Sequence, residues 1–298
     1  MAEIKLFRID GETVKEQLQV KFKWEAHLQT LVEKNMKTMF GVTFLAHEYS
    51  IKGEYHDGRM DSIGIDENNY PVIFEYKKVE NENVINQGLF YLDWLLNHKN
   101  DFYKLVLDRL GKKAAEAIEW SNPRVLCIAP DFNKYDEGAI NHMSQDIELI
   151  KWKRFEDGAL MFEYFKQSNK KNQPKTSGGD KERTTFSDKL SKAPKEIKEL
   201  YETVDAYMLS MSDEVSFTDL KHYRAYKRLK NFAVILVEKG KVVLYLSLKP
   251  SDYELEEGFL RDMTDFGHLG TGDLEVTIKN SDDFEKAKAL FNDAFNNN

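Results

Sequence analysis

The stretch Gly58–Lys78, GRMDSIGIDENNYPVIFEYKK, decides the fold of the N-terminal half of this chain. Two largely apolar segments, Arg59–Asp66 and Pro71–Lys77, lie on either side of a polar turn at 67–69. Short apolar runs that are separated by a turn rich in asparagine predict a β-hairpin. We therefore expect two neighbouring antiparallel strands in this region.

The charged residues of the hairpin are expected on one of its faces. Because successive side chains of a strand point to opposite faces, Glu75 and Lys77 share the face of Ile73. Asp61 lies on the neighbouring strand, where its carboxylate can face that of Glu75. Two close carboxylates repel each other unless a cation lies between them, and their oxygens suit Mg²⁺ or Mn²⁺. With the backbone carbonyl of Tyr76, the pair would form a metal site.

Such a site would carry out phosphodiester chemistry. A divalent ion would polarise the phosphodiester and lower the pKa of a bound water. Lys77 would orient that water or stabilise the charge that develops on the phosphate. The alternative is an ordinary surface hairpin in which Glu75 and Lys77 form a salt pair, and the spacing alone favours neither interpretation.

Two predicted helices flank the hairpin and bring further polar residues. The first covers Lys23–Phe40 and carries Glu25, which could supply a further carboxylate. The second covers Glu82–His98, where Gln87 and Tyr91 are four residues apart and therefore lie on one face. These two side chains could contact a scissile phosphate or the water of the metal. The flanking helices favour the catalytic interpretation over the surface hairpin.

With these residues in place, the N-terminal half resembles the PD-(D/E)XK nuclease superfamily. Asp61 followed by Glu75-Tyr76-Lys77 matches the D…ExK signature, with Met60 in place of the proline. The second flanking helix is similar to the Q-x-x-x-Y helix of the RecB-like and NucS-like branches. The resemblance implies a restriction-endonuclease-like fold, in which a mixed α/β sheet is flanked by helices. It also implies hydrolysis of nucleic-acid phosphodiesters with Mg²⁺ or Mn²⁺ as cofactor.

A narrower resemblance is to a bacterial family of uncharacterised proteins, some labelled "predicted transport protein". It covers about Lys23–Trp94 and extends more weakly to residue 165. We expect Arg59 and Lys78, which flank the signature residues, to contact the nucleic acid. The transport label has no support, because the longest apolar runs are strand-sized and too short to cross a bilayer.

The length and composition predict two domains. The chain has 298 residues, which is long for a single hydrophobic core, and a net charge of −8. Its one cysteine indicates a reducing compartment. Because its apolar runs are also too short to span a membrane, we expect a cytoplasmic protein. The segment 166–195 is polar and basic and is expected to be a flexible linker, although its charge could also touch a phosphate backbone. We expect a nuclease-like domain at 1–165 and a smaller α/β domain at 196–298.

The C-terminal half resembles a small domain of unknown function that is often appended to such nucleases. Its loop 267–273 looks like the recurring GHxG motif of that domain, and its glycines suit tight turns better than a phosphate cradle. The segment 221–230 contains five basic residues and two tyrosines. Arg224 and Lys227 could therefore bind phosphates, or the segment could be a solvated surface whose tyrosines pack on the domain.

The leading hypothesis is a Mg²⁺-dependent deoxyribonuclease that acts in restriction, repair or phage defence. The alternative is a catalytically silent nucleic-acid-binding or assembly module on the same fold. The expected partner is nucleic acid, DNA before RNA. A double-strand cut would favour a homodimer, since one such site cuts one strand at a time.

Overall fold

The computed structural model describes residues 4–22, 25–52, 57–77, 84–168 and 185–298. The chain divides into two compact units, Met1–Asn172 and Gln173–Asn298. Each unit has its own sheet and its own hydrophobic core. The predicted fold class, a mixed sheet flanked by helices together with a second α/β domain, is confirmed.

The N-terminal unit is built around a mixed sheet. Its elements, in chain order, are β1 (Leu6–Asp10), β2 (Thr13–Gln17), β3 (Gln19–Val20), α1 (Glu25–Phe40), β4 (Val42–Ile51), β5 (Gly58–Asp66), β6 (Pro71–Tyr76), α2 (Val84–Asn97), α3 (Lys99–Leu110), α4 (Lys112–Glu116), β7 (Arg124–Ala129), α5 (Lys134–Ile140), β8 (Asp146–Phe155) and β9 (Leu160–Gln167). The sheet has the strand order β3-β8-β7-β6-β5-β4, with β9 paired to β8, and β1 pairs with β2 in a separate hairpin. Strands β4, β5 and β6 are antiparallel, whereas β6, β7 and β8 run parallel.

The predicted turn between β5 and β6 is held by a carboxylate. Asp66 accepts backbone N–H bonds from Asn68 and Tyr70, each at 2.9 Å. Asn69 has a φ of 65°, a left-handed conformation that asparagine adopts more readily than most residues. The turn therefore fixes which residues of β5 and β6 lie opposite each other.

A buried ion network ties the same end of β5 to the parallel strands. The Arg124 guanidinium donates to Asp66 Oδ2 at 2.9 Å and to Glu148 Oε1 and Oε2 at 2.8 and 3.1 Å. Arg124 is 3% exposed and Glu148 is completely buried. Removing one charge would leave the others without compensation in the interior, so the network fixes the order of β5, β7 and β8.

The two faces of the sheet are covered by different helices. On one face, Phe40 of α1 packs edge-on against Phe74, with ring centroids 5.6 Å apart. On the other face, α2 approaches β7 so closely that a Cβ on Gly88 would lie 2.5 Å from Val125 Cγ1. Because Glu75 follows Phe74, its side chain belongs to the face that α2 covers.

The smaller unit is an antiparallel sheet with helices on one face. Its elements are α6 (Phe186–Lys192), α7 (Lys195–Ser210), β10 (Ser216–Asp219), β11 (Arg224–Lys227), β12 (Asn231–Glu238), β13 (Lys241–Leu246), β14 (Leu260–Asp262), β15 (Leu274–Ile278) and α8 (Ser281–Asn296). The strand order is β10-β11-β12-β13-β15-β14. In the loop 267–273, Gly270 has a φ of 78°, and a Cβ there would lie 2.8 Å from Val234. This glycine serves a tight turn, as its spacing predicts.

The predicted linker 166–195 does not hold over its whole length. The segment contains α6, because Phe186 is buried in the second core and Thr185 forms a capping box with Asp188.

Candidate functional site

The strand register brings Asp61 and Glu75 together. Ser62 of β5 lies opposite Phe74 of β6, so the next position along the antiparallel pair sets Asp61 against Glu75. Residues that lie opposite each other in antiparallel strands share a face. The backbone N–H of Asp61 lies 3.4 Å from Glu75 Oε1, at the long end of hydrogen-bond distances. The two carboxylates that the spacing singled out are therefore neighbours.

The backbone of Tyr76 holds the Asp61 carboxylate in place. The Tyr76 N–H donates to Asp61 Oδ2 at 2.9 Å. The N–H and the C=O of one strand residue point towards the same neighbouring strand, so the Tyr76 carbonyl also faces β5. The Tyr76 ring lies on the opposite face and stacks on Phe74, with centroids 6.2 Å apart. Thus only the backbone of Tyr76 faces the carboxylates.

Glu75 is a buried carboxyl group with an unused oxygen. Its exposed fraction is 0%, and Oε2 has no hydrogen-bond partner among the described residues. Burial, reinforced by the negative charge of Asp61 and opposed by Lys77, raises the pKa of Glu75 from 4.5 to about 9. Burial also raises the pKa of Asp61, against the Tyr76 N–H and the positive charge of Lys77. The pair therefore needs a proton or a cation to be stable in this environment.

Lys77 is positioned by the end of β6. Its N–H donates to the carbonyl of Ile128 at 2.8 Å, and its carbonyl accepts from Trp152 Nε1 at 3.4 Å. Its side chain is partly exposed, and its charge acts on both carboxyl groups. A cationic amine thus lies beside the carboxylate pair at the solvent edge of the sheet.

The predicted pair on α2 reaches β5. Gln87 Nε2 donates to the Tyr91 hydroxyl at 3.3 Å, and the same hydroxyl accepts the backbone N–H of Arg59 at 3.4 Å. Arg59 lies two residues before Asp61 on one strand, so the structure brings Gln87 and Tyr91 to the end of β5 that carries the carboxylates. The close approach of α2 at Gly88 makes this contact possible.

Helix α1 contributes a residue that the sequence did not single out. Gln29 is buried and donates through Nε2 to the backbone carbonyl of Asp61 at 2.7 Å. Its amide also contacts Glu33 Oε1 at 3.1 Å, and Glu33 accepts from Ser62 Oγ at 2.6 Å. Glu25 begins α1 one turn before Gln29, on the same helix face. The four-residue spacing of Glu25, Gln29 and Glu33 puts them on one helix face but does not indicate which strand that face contacts.

The two residues of the N-terminal half that were expected to contact nucleic acid, Arg59 and Lys78, differ in what the structure describes. Arg59 is exposed and forms an ion pair with Glu48 at 2.9 Å. Lys78 lies outside the described residues. In the described part of the chain, no group of three or more His, Cys, Asp or Glu side chains could hold a metal ion. A metal at this site would therefore depend on two carboxylates and on backbone or water oxygens.

The predicted phosphate contacts in the C-terminal half are wrong. Segment 221–230 is not an exposed basic surface, because β11 lies within the sheet. Arg224 pairs with Asp205 at 2.8 Å and with Asp219 at 2.6 Å, and Lys227 is 4% exposed. The two tyrosines of the segment, Tyr223 and Tyr226, are 7% and 0% exposed. These side chains hold the sheet and its helices together and do not face solvent.

Comparisons with known proteins identify relatives of both halves. Residues 186–298 match the family described as "Domain of unknown function (DUF5655)". An uncharacterized protein of Haemophilus influenzae is 27% identical over 307 residues, which cover 98% of this chain and 99% of that protein.

Two solved structures are similar at a lower level. A repair endonuclease from Pyrococcus abyssi is 15% identical, with a TM-score of 0.29, over 49% of this chain and 64% of that chain. A structure described as an EndoMS–dsDNA2 complex is 17% identical, with a TM-score of 0.27, over 48% of this chain and 49% of that chain. Both matches span less than two thirds of the other structure, and TM-scores this low carry no argument about activity.

Within the ranges that the structure describes, no helix is both long enough and apolar enough to cross a bilayer.

Proposed function

We propose that this chain is a metal-dependent endonuclease that hydrolyses phosphodiester bonds of DNA. The observation that carries the proposal is the pair of neighbouring carboxyl groups of Asp61 and Glu75 at the end of two adjacent strands, where Glu75 is completely buried and Asp61 is half-buried, with Lys77 beside them. A carboxyl group with no exposed surface and an unused oxygen is costly to keep in an apolar interior, so its presence needs a purpose. Carboxylate oxygens that converge beside a cationic amine suit phosphoryl chemistry.

The residues present fit a divalent cation. Asp61 and Glu75 would hold Mg²⁺ or Mn²⁺ through carboxylate oxygens, and the Tyr76 carbonyl, which faces the same strand, would add a third oxygen. The pKa values of both carboxyl groups are raised, so a nearby positive charge would stabilise their ionised forms. When bound, the ion polarises the phosphodiester and lowers the pKa of a water.

The remaining side chains would position the substrate and the water. Lys77 would hold the attacking water or stabilise negative charge on the phosphate. Gln87 and Tyr91, joined by a hydrogen bond at the end of β5, would contact the phosphate or the water. Glu25, one turn from Gln29 on α1, would add a carboxylate to the metal's water shell. Arg59, which is exposed and lies on the same face of β5 as Asp61, would bind the nucleic-acid backbone.

A second candidate is a catalytically silent nucleic-acid-binding module. It is favoured by the pKa of Glu75, which burial raises to about 9. At that value the carboxyl group is protonated at neutral pH, and a proton instead of a metal ion could relieve the repulsion from Asp61. The C-terminal domain would recognise substrate or a partner in either case, and a homodimer would suit a double-strand cut.

Cleavage of labelled DNA separates the two candidates. Linear, nicked and modified DNA are incubated with the full chain in Mg²⁺ or Mn²⁺ and in EDTA, beside Asp61→Asn and Lys77→Ala. We expect metal-dependent cleavage that each substitution lowers by at least 10²-fold, on the order of one lost electrostatic contact to the transition state. Lys112→Ala and Glu116→Gln, which alter an exposed ion pair on α4, are matched controls and should cleave normally.

The outcomes are distinct. DNA binding without cleavage of any substrate would favour the silent module. Cleavage that survives both Asp61→Asn and Lys77→Ala would contradict the site assignment.

A further inference from the structure

Glu48 lies near Asp61 on the strand that precedes the hairpin. His47 pairs with Ser62 and Tyr49 pairs with Met60, so Glu48 lies between these two pairs, at the level of Asp61. The backbone of Glu48 has a positive φ of 44°. Among the described non-glycine residues, only the turn residue Asn69 also has a positive φ, of 65°. Glutamate adopts this region at a conformational cost, and such strain is concentrated at functional positions.

The Glu48 side chain holds the arginine of the same site. Its Oε2 lies 2.9 Å from an Nη of Arg59, and the two side chains are 39% and 59% exposed. Glu48 Oε2 also lies 3.9 Å from Nε2 of His47, a pair that is ionic only when the imidazole is protonated. Arg59 shares a strand face with Asp61, and its backbone N–H is anchored by the Tyr91 hydroxyl at 3.4 Å. The backbone of Arg59 is thus fixed, whereas its guanidinium is held only at the solvent edge.

A phosphate group would compete for the same guanidinium. Arginine binds carboxylate and phosphate in the same two-pronged geometry, so one can replace the other. Glu48 also adds negative potential next to Asp61 and contributes to the raised pKa of that carboxyl group. A phosphate that approaches the carboxylates therefore meets repulsion from Glu48 and attraction from Arg59, and the ion pair sets the balance between them.

We propose that Glu48 is a positioning residue that holds the Arg59 guanidinium at the mouth of the site until a phosphate group of nucleic acid takes its place. The proposal rests on the proposed function, since it assumes that the backbone of a nucleic acid reaches this end of β5. Glu48 acts as an internal substitute for the phosphate, and the exchange excludes anions that bind more weakly than Glu48.

A double-mutant cycle tests the exchange. Glu48→Gln keeps the shape of the side chain and removes its charge, so it should tighten phosphate binding about 2- to 5-fold, the range that an exposed ion pair supplies. In an Arg59→Gln background the same change should have no effect, because no guanidinium is left to release. Glu48→Asp should keep most of the wild-type affinity. Glu116→Gln removes one charge from another exposed ion pair and should leave binding unchanged.

Two probes make a failure of the exchange distinguishable from a failure of the proposed function. The first is inorganic phosphate, titrated in metal-free buffer and followed by NMR at the Arg59 side-chain N–H. The second is a fluorescent DNA duplex, followed by anisotropy in Ca²⁺ over a range of salt concentrations. Loss of the Arg59 contact should reduce the magnitude of the negative slope of log K against log salt by about 0.9 for the duplex.

Each result decides one point. If Glu48→Gln raises the affinity for both probes, and does so only when Arg59 is present, the exchange is supported. The same gain with inorganic phosphate, but no binding of DNA, supports the exchange and contradicts the proposed function. A gain that persists without Arg59, or no gain with either probe, overturns the exchange, because Glu48 would then act only through its charge or only in the fold.

Discussion

Replacing Glu75 with glutamine should change the pH dependence of stability in the N-terminal unit. The pKa of Glu75 is raised from 4.5 to about 9, so the folded chain keeps a proton that the unfolded chain releases between these values. The contribution of Glu75 to the free energy of unfolding is therefore fully present below pH 4.5. This contribution is lost as the pH rises towards 9. The loss is about 1.4 kcal/mol per pH unit, or about 3 kcal/mol at pH 7 relative to pH 4.5.

Glu75→Gln removes this loss, because glutamine is neutral at every pH. The free energy of unfolding is measured by urea titration in EDTA from pH 5 to pH 9. Tryptophan fluorescence reports the N-terminal unit alone, since Trp24, Trp94, Trp120 and Trp152 all precede residue 173. The difference in stability between the variant and the wild type should shift in favour of the variant by about 3 kcal/mol between pH 5 and pH 7.

Mg²⁺ should offset, in the wild type only, the loss of stability that accompanies the ionisation of Glu75 at rising pH. Under the proposed function the ion would bind the ionised pair, so it should stabilise the wild type more at pH 8 than at pH 6 and should have little effect on Glu75→Gln. Glu116→Gln makes the same chemical change at an exposed position and should follow the wild type. Parallel pH profiles for the wild type and Glu75→Gln would refute the reasoning, because Glu75 would then titrate equally in both states.

Other substitutions test single contacts. Gln29→Ala removes the donor to the Asp61 carbonyl, so it should lower the free energy of unfolding by about 1–3 kcal/mol in urea titrations and reduce DNA cleavage. Unchanged stability would show that this hydrogen bond does not stabilise the fold. Gly88→Ala drives a Cβ into Val125 and should cost about 1–3 kcal/mol, seen as an earlier thermal transition of the N-terminal unit. Arg224→Ala should destabilise the C-terminal unit by about 1–3 kcal/mol in thermal unfolding followed by circular dichroism, without weakening DNA binding. Weaker binding by a folded Arg224→Ala variant would restore the phosphate role.

Local patterns in the sequence were sufficient to predict the central hairpin. The apolar runs and the polar turn predict β5 and β6, and strand alternation puts Glu75 and Lys77 on one face. The four-residue spacing of Gln87 and Tyr91 predicts their contact on α2. These predictions depend on neighbours within one element or one hairpin, where the geometry follows from short-range periodicity.

Contacts between distant segments were not predictable in this way. Gln29 reaches the carbonyl of Asp61 only because α1 packs across β5, and no local pattern encodes that packing. Arg224 was misassigned because the basic segment looks solvated in isolation, whereas its partner Asp205 lies on α7, 19 residues earlier. The ion pair between Glu48 and Arg59 likewise depends on the register between β4 and β5.

Anomalous scattering from a crystal soaked in Mn²⁺ tests most directly the claim that Asp61 and Glu75 share one divalent ion. The account predicts a single strong peak between the two carboxylates in the wild type, which is absent from crystals of Asp61→Asn. A wild-type crystal at saturating Mn²⁺ with no peak at this position, or with a peak that Asp61→Asn leaves unchanged, would contradict it.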